Sequence, residues 1–180
     1  MTDMMPLMTR AAERTLALVG SLRPDELALR TPCAEFDVKA LIAHLEYVAA
    51  MMESAARKEG MPAQQEYQGD LPRRVERMLD AWSKPEAWEG VSAGLGLPMT
   101  TLATMCLGDL VTHGWDLAKA TGRPYETDSE AVELLIGFIE RMGPMARQQG
   151  VYGEPVPVPD DAPALDRMLG LSGRDPAWTP

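Results

Sequence analysis

Gly108-Asp109-Leu110-Val111-Thr112-His113-Gly114-Trp115-Asp116-Leu117 decides how this chain is read. On a helix, at about 100° per residue, Leu102, Met105, Cys106, Leu110 and Leu117 share one face. Asp109, His113 and Asp116 fall in the middle of that face. Three ionisable groups thus stand where the pattern calls for Leu or Val, and an unpartnered buried charge is costly. Asp109 and His113 are one turn apart, so both side chains reach a single point beside the helix. Two explanations remain open from the pattern alone. Either a metal ion occupies that point, or the histidine and a carboxylate pair within the core.

The stretch lies in a helix expected from about Met99 to Thr121, closed by Gly122 at C′ and by Pro124 beyond it. Before it, apolar spacing predicts a helix from Met5 to Gly20. A second helix is predicted from Val38 to about Lys58, with Asp37 as its N-cap. Leu41, Leu45, Val48, Met52 and Ala55 form the inner side of this second helix. Lys39, Glu46, Glu53 and Arg57 form its wet side. His44 falls on the inner side, and it is one of only two histidines in the chain, the other being His113. Both therefore point inward from separate helices, which favours a shared site.

A third helix is expected from Pro72, at N1, through Trp82. An irregular stretch, Pro85 to Pro98, follows, with a short extended piece around Leu95–Leu97. Thr127-Asp128-Ser129-Glu130 has the form of a capping box opening a helix through Met145. The proline-rich Val151 to Pro163 then runs extended, and a short helix spans Ala164 to Leu169. The predicted fold is all-α: one domain over residues 1–180, an antiparallel four-helix bundle with a short additional helix and an extended C-terminal tail. Bundles build their sites from side chains on facing helices, which is the relation proposed for His44 and His113.

Composition narrows the function. A net charge of −10 argues against nucleic acid and against an anionic membrane surface. No apolar run approaches the roughly 20 residues of a membrane span, and the N-terminus has no signal-peptide pattern. Two cysteines, Cys33 and Cys106, make no disulfide framework, so a cytoplasmic setting is expected. Cys106 precedes His113 by seven residues, about 10 Å of helix, too far for both to hold one ion. It reads as a small buried hydrophobe, and Cys33 as a packed loop thiol. Two imidazoles and a carboxylate are a ligand set for zinc with a position left open, and the set also suits iron, nickel or manganese. Asp116 has two readings, a further ligand or the acceptor that fixes an imidazole tautomer; the second is preferred.

Thr31-Pro32-Cys33-Ala34-Glu35-Phe36-Asp37-Val38, followed by Leu41-Ile42-Ala43-His44-Leu45, resembles the opening of a known group. These are the actinobacterial metal-binding proteins related to the mycothiol-dependent maleylpyruvate isomerase N-terminal domain, within the DinB/YfiT-like superfamily. Gly108 to Gly122 resembles that group's second motif, and Gly173-Arg174-Asp175-Pro176-Ala177-Trp178 is similar to its usual C-terminus. The resemblance implies a DinB-like bundle with a divalent metal, zinc before nickel, iron or manganese, held by His44, Asp109 and His113. Asp109 stands where the isomerase has Glu and many relatives have His. It is one methylene shorter than Glu, which implies closer helices or contact through water. The isomerase carries a further C-terminal domain for which 180 residues leave no room, so the resemblance points away from maleylpyruvate itself.

Two functions follow as expectations. The first is a thiol-dependent S-transferase or isomerase, in which the metal activates a low-molecular-weight thiol such as mycothiol towards an electrophilic substrate. The second is a non-catalytic metal- or ligand-binding module, such as a stress-related sensor or a homodimeric scaffold.

Overall fold

The computed structural model describes residues 3–180. Six α-helices account for the architecture: α1 (Met4–Gly20), α2 (Val38–Ala56), α3 (Leu71–Trp82), α4 (Met99–Ala120), α5 (Ser129–Gln148) and α6 (Ala164–Leu171). Among the described residues there is no strand, only two isolated bridges, Arg30 to Asp37 and Val91 to Pro98. Among the described residues no helix is long and apolar enough to cross a membrane.

Helix α4 is the hub. It packs on α1, α2 and α5, while α3 covers α2 and α6 lies against α5. The single apolar face expected of α4 is accordingly too narrow. Leu107, Val111, Gly114, Trp115 and Ala118 are buried as well as Leu102, Cys106, Leu110 and Leu117. A helix enclosed by neighbours is apolar nearly all round. Gly114 is required where α1 crosses α4. A Cβ there would stand 2.9 Å from Thr15 Oγ1 and 3.0 Å from the Tyr125 ring. Thr15 uses the closeness to donate to the Leu110 carbonyl at 3.0 Å, and the Tyr125 hydroxyl donates to Val111 at 2.9 Å.

The start of α2 follows the sequence, with the Asp37 carboxylate accepting from the Ala40 amide at 2.7 Å. Its wet side does so only in part: Lys39 and Arg57 are exposed, but the two glutamates are not. Glu46 is 2% and Glu53 6% exposed, because α3 and the segment leading into it cover them. Glu46 accepts from the Gln68 and Asp70 amides at 2.8 and 2.6 Å, and so satisfies backbone donors beside the start of α3. Glu53 is paired with Arg57 and Arg77. A buried carboxylate with such partners is tolerated, whereas a bare one is not.

Two local expectations are corrected. The capping box of Thr127 and Glu130 does not form: Asp128 takes the N-cap position of α5 and makes no side-chain cap. Its carboxylate is drawn instead to Arg10 and Arg14 of α1, at 3.0 and 2.8 Å. The segment around Leu95–Leu97 is not extended. It closes a tight loop in which Ser92 donates to the Leu97 carbonyl and Gly96 to that of Ser92, with Gly96 at φ +64°.

Candidate metal centre

Helix α2 carries His44 and helix α4 carries Asp109 and His113. Each offers one ligand atom, and the three atoms lie within 4.8 Å of one another. The His44 and His113 rings meet edge to face with centroids 4.9 Å apart. His113 Nε2 and Asp109 Oδ1 are 3.8 Å apart, too long for a hydrogen bond. Two ligands of a tetrahedral zinc, each about 2.0–2.1 Å from the ion, lie roughly 3.3 Å apart. The His113–Asp109 spacing is about half an ångström wider than that, and these two groups do not form a closed pair with each other.

The electrostatics suit the same donors. Burial, with the neighbouring His113 and Arg174 acting in the same direction, pushes His44 down to about 4. Its ring is neutral at ordinary pH, the form that ligates. Asp109 is 32% exposed at its side chain, at the open edge of the group. Its carboxyl is raised by desolvation, against which His113 and Arg174 pull it down. A cation at that point would restore the carboxylate.

Asp116 is wholly buried and is not among the three convergent donors. Its Oδ2 lies 3.0 Å from His113 Nδ1. The same carboxylate receives Arg174, from Nε to Oδ1 at 3.0 Å and from Nη2 to Oδ2 at 3.0 Å. A carboxylate so held can only accept, so Nδ1 carries the proton and Nε2 presents its lone pair towards Asp109 and His44.

The loop before α2 supplies the other wall. Phe36 stacks on His44 with centroids 5.3 Å apart and planes 25° from parallel. Thr31 fixes the loop by donating to the Phe36 carbonyl at 2.8 Å and accepting from the Cys33 amide. Cys33 is half-buried there, and burial raises its thiol. Cys106 is fully buried with Sγ 3.5 Å from Met78 Sδ on α3. It is a core residue and is not among the convergent donors.

Comparison with known proteins bears on the same residues. The model of the mycothiol maleylpyruvate isomerase N-terminal domain matches residues 8–70, the part that contains His44. Uncharacterized proteins of two Mycobacterium tuberculosis strains, CDC 1551 / Oshkosh and ATCC 25618 / H37Rv, are each 30% identical over 186 residues. The match spans 94% of this chain and 97% of theirs. The chain belongs to the family of the mycothiol maleylpyruvate isomerase N-terminal domain. No solved structure matches it.

Family membership and geometry together expose what the sequence reading left without a role. Arg174 lies in the closing motif, 58 residues from Asp116. No local signal marked it, because Lys119, three residues after Asp116 on the same helix, offered a nearer cation. The tail is pinned so that Arg174 can reach. Arg147 of α5 donates to the Leu171 and Gly153 carbonyls at 2.6 and 3.2 Å. Gly173, at φ +87°, passes so close to Gly153 that a Cβ would lie 2.8 Å from its Cα.

Proposed function

We propose that this protein holds a divalent metal, zinc in the first instance, through His44, Asp109 and His113, and uses it to activate a low-molecular-weight thiol such as mycothiol. We read α1 to α4 as the DinB-like antiparallel four-helix bundle that carries the centre, and the setting as cytoplasmic. What supports the reading is the convergence of three donors from two helices, with the far nitrogen of His113 held by Asp116, in a chain of a mycothiol-linked family.

When bound, such an ion lowers the pKa of a thiol that coordinates it and keeps the sulfur nucleophilic at neutral pH. The protein's own residues do the rest. Asp116 and Arg174 fix the ring of His113, Phe36 shields His44 from water, and Asp109 sits at the edge through which small molecules enter. In a transfer, the sulfur lone pair forms an S–C bond as the bond to the leaving group breaks. That group departs with its electron pair, and the thiol proton passes to water. In an isomerisation, the thiol adds to a conjugated double bond, the resulting single bond rotates, and the S–C bond breaks again to return the thiol.

Elemental analysis of purified protein beside His113→Ala tests the centre: one equivalent of metal per chain is expected in the first and none in the second. Cobalt-substituted protein titrated with mycothiol tests the chemistry through a saturable sulfur-to-cobalt charge-transfer band. Metal without the band leaves a binding module and removes the thiol role. Absence of metal removes the whole reading.

A further inference from the structure

One turn before Asp109 on α4, Met105 lines a cavity of ≈ 250 Å³ that the metal centre does not use. Phe138, Met142 and Ala146 of α5 form its far wall, and Tyr152 and Gln149 are the two polar side chains in its lining. No charged side chain faces it. Its rim holds three of the most exposed large hydrophobic residues: Leu95, Met145 and Val151, at 45%, 52% and 58%.

The cavity and the centre are neighbours. Met105 and Asp109 sit on one edge of α4, and Tyr152 lies near enough to Asp109 and Arg174 for both charges to act on its hydroxyl. An ion would be stranded in such a lining, since neither sign finds a partner there. Two hydrogen-bonding groups on an otherwise apolar wall are the usual make-up of a small-molecule pocket. Thioether side chains adapt to different shapes, so the site tolerates a range of ring systems or chains.

We propose that this cavity is the acceptor site: it holds the uncharged, apolar body of the electrophile, with the reacting carbon directed past Asp109 towards the sulfur. The role rests on the function proposed above, but the site itself does not, because no metal donor lines it. Tyr152 or Gln149 supplies the one polar contact that orients the molecule.

The neutral fluorophore N-phenyl-1-naphthylamine serves as the probe. Saturable, micromolar binding with a rise in emission is expected for the wild type. Ala146→Trp, which fills the cavity from its half-buried wall, is expected to weaken binding at least about tenfold. Met145→Ala, at an exposed position with little stability at stake, is expected to weaken it by about threefold. His113→Ala is expected to leave it within about twofold, because the cavity stands without the metal. Failure of the metal reading would therefore leave probe binding intact, and failure of probe binding would leave the metal content intact. No saturable binding, or binding indifferent to Ala146→Trp, overturns the proposal. So does a dimer in sedimentation that Ala146→Trp separates, since the cavity rim would then be a subunit contact.

Discussion

Arg174 and Asp116 form a two-pronged ion pair, with Nε and Nη2 each 3.0 Å from a different carboxylate oxygen. The pair joins the C-terminal tail to the helix that carries His113, and Asp116 passes the constraint on through its 3.0 Å contact with Nδ1. Groups that orient a ligating imidazole in this way typically change metal affinity 10- to 100-fold when removed. Arg174→Ala is expected to weaken the proposed metal binding by about that factor, measured with zinc in competition with a chelator. Its thermal midpoint should fall as well, because a buried carboxylate left without its cation costs about 3–5 kcal/mol. Arg174→Lys should recover part of the stability and less of the affinity, since an ammonium cannot span both oxygens. Unchanged affinity in both variants would mean that the tail plays no part in holding His113.

Glu46 is a second carboxylate with a structural task. It accepts two backbone amides that precede or open α3, and hydrogen bonds to a charged group contribute about 1.5–3 kcal/mol each. Glu46→Ala is expected to lower the unfolding free energy by about 2–4 kcal/mol in urea titrations. Metal content should be retained, because Glu46 points away from the centre towards α3. Glu46→Gln keeps one acceptor and should lose roughly half as much. A surface residue would show less than about 0.5 kcal/mol, and that result would return Glu46 to the solvent face that periodicity assigned to it.

The contrast between Glu46 and His44 explains what could be read from the chain alone. His44 lay inside the apolar stripe of α2 and Asp109 and His113 within that of α4, so an inward-facing position followed from helical spacing. That they meet within 4.8 Å depends on how α2 crosses α4, which no local pattern encodes. Glu46 and Glu53 looked solvated because a charged stripe usually is. Their burial depends on α3 folding back over them, a contact between segments more than 20 residues apart. The capping box at Thr127 failed for the same reason, since Asp128 takes the cap position and its carboxylate goes to two arginines of α1. Arg174 was unreadable because its partner lies 58 residues upstream.

Gly114 sits between His113 and Trp115, and its missing side chain sets the approach of α1 to α4. Gly114→Ala places a methyl group 2.9 Å from Thr15 Oγ1 and 3.0 Å from the Tyr125 ring. Overpacking of this kind costs about 1–3 kcal/mol, more than the roughly 1 kcal/mol that alanine gains over glycine within a helix. A net loss of stability is expected in urea. The displaced α4 should also move His113, so metal affinity is expected to fall with it. Gly114→Ala combined with Thr15→Ala removes the closer clash and should recover stability beyond the single variant. No recovery would place the strain at Tyr125 instead.

Glu26 provides a test that pH reads directly. Arg123, just past the end of α4, meets both oxygens of Glu26 at 2.9 Å, and the Arg23 amide donates to one of them at 2.8 Å. Arg123 also reaches the Ser21 carbonyl at 2.8 Å, so the cluster ties the end of α1 to the end of α4. The Arg123 hydrogen bonds, followed by that of the Arg23 amide, hold the Glu26 carboxyl down at about 2, from an ordinary value of 4.5. Its folded pKa is thus the lower one, and between the two values the unfolded chain binds more protons. The contribution is therefore complete above about pH 4.5 and is lost as the pH falls towards 2. Glu26→Gln cannot titrate. The difference in urea midpoint between wild type and Glu26→Gln is expected to be constant from pH 7 to about 5 and to shrink steadily below it. Other carboxylates titrate alike in both proteins and cancel in that difference. A gap that stays the same down to pH 2 would show that Arg123 does not hold Glu26 in its charged form.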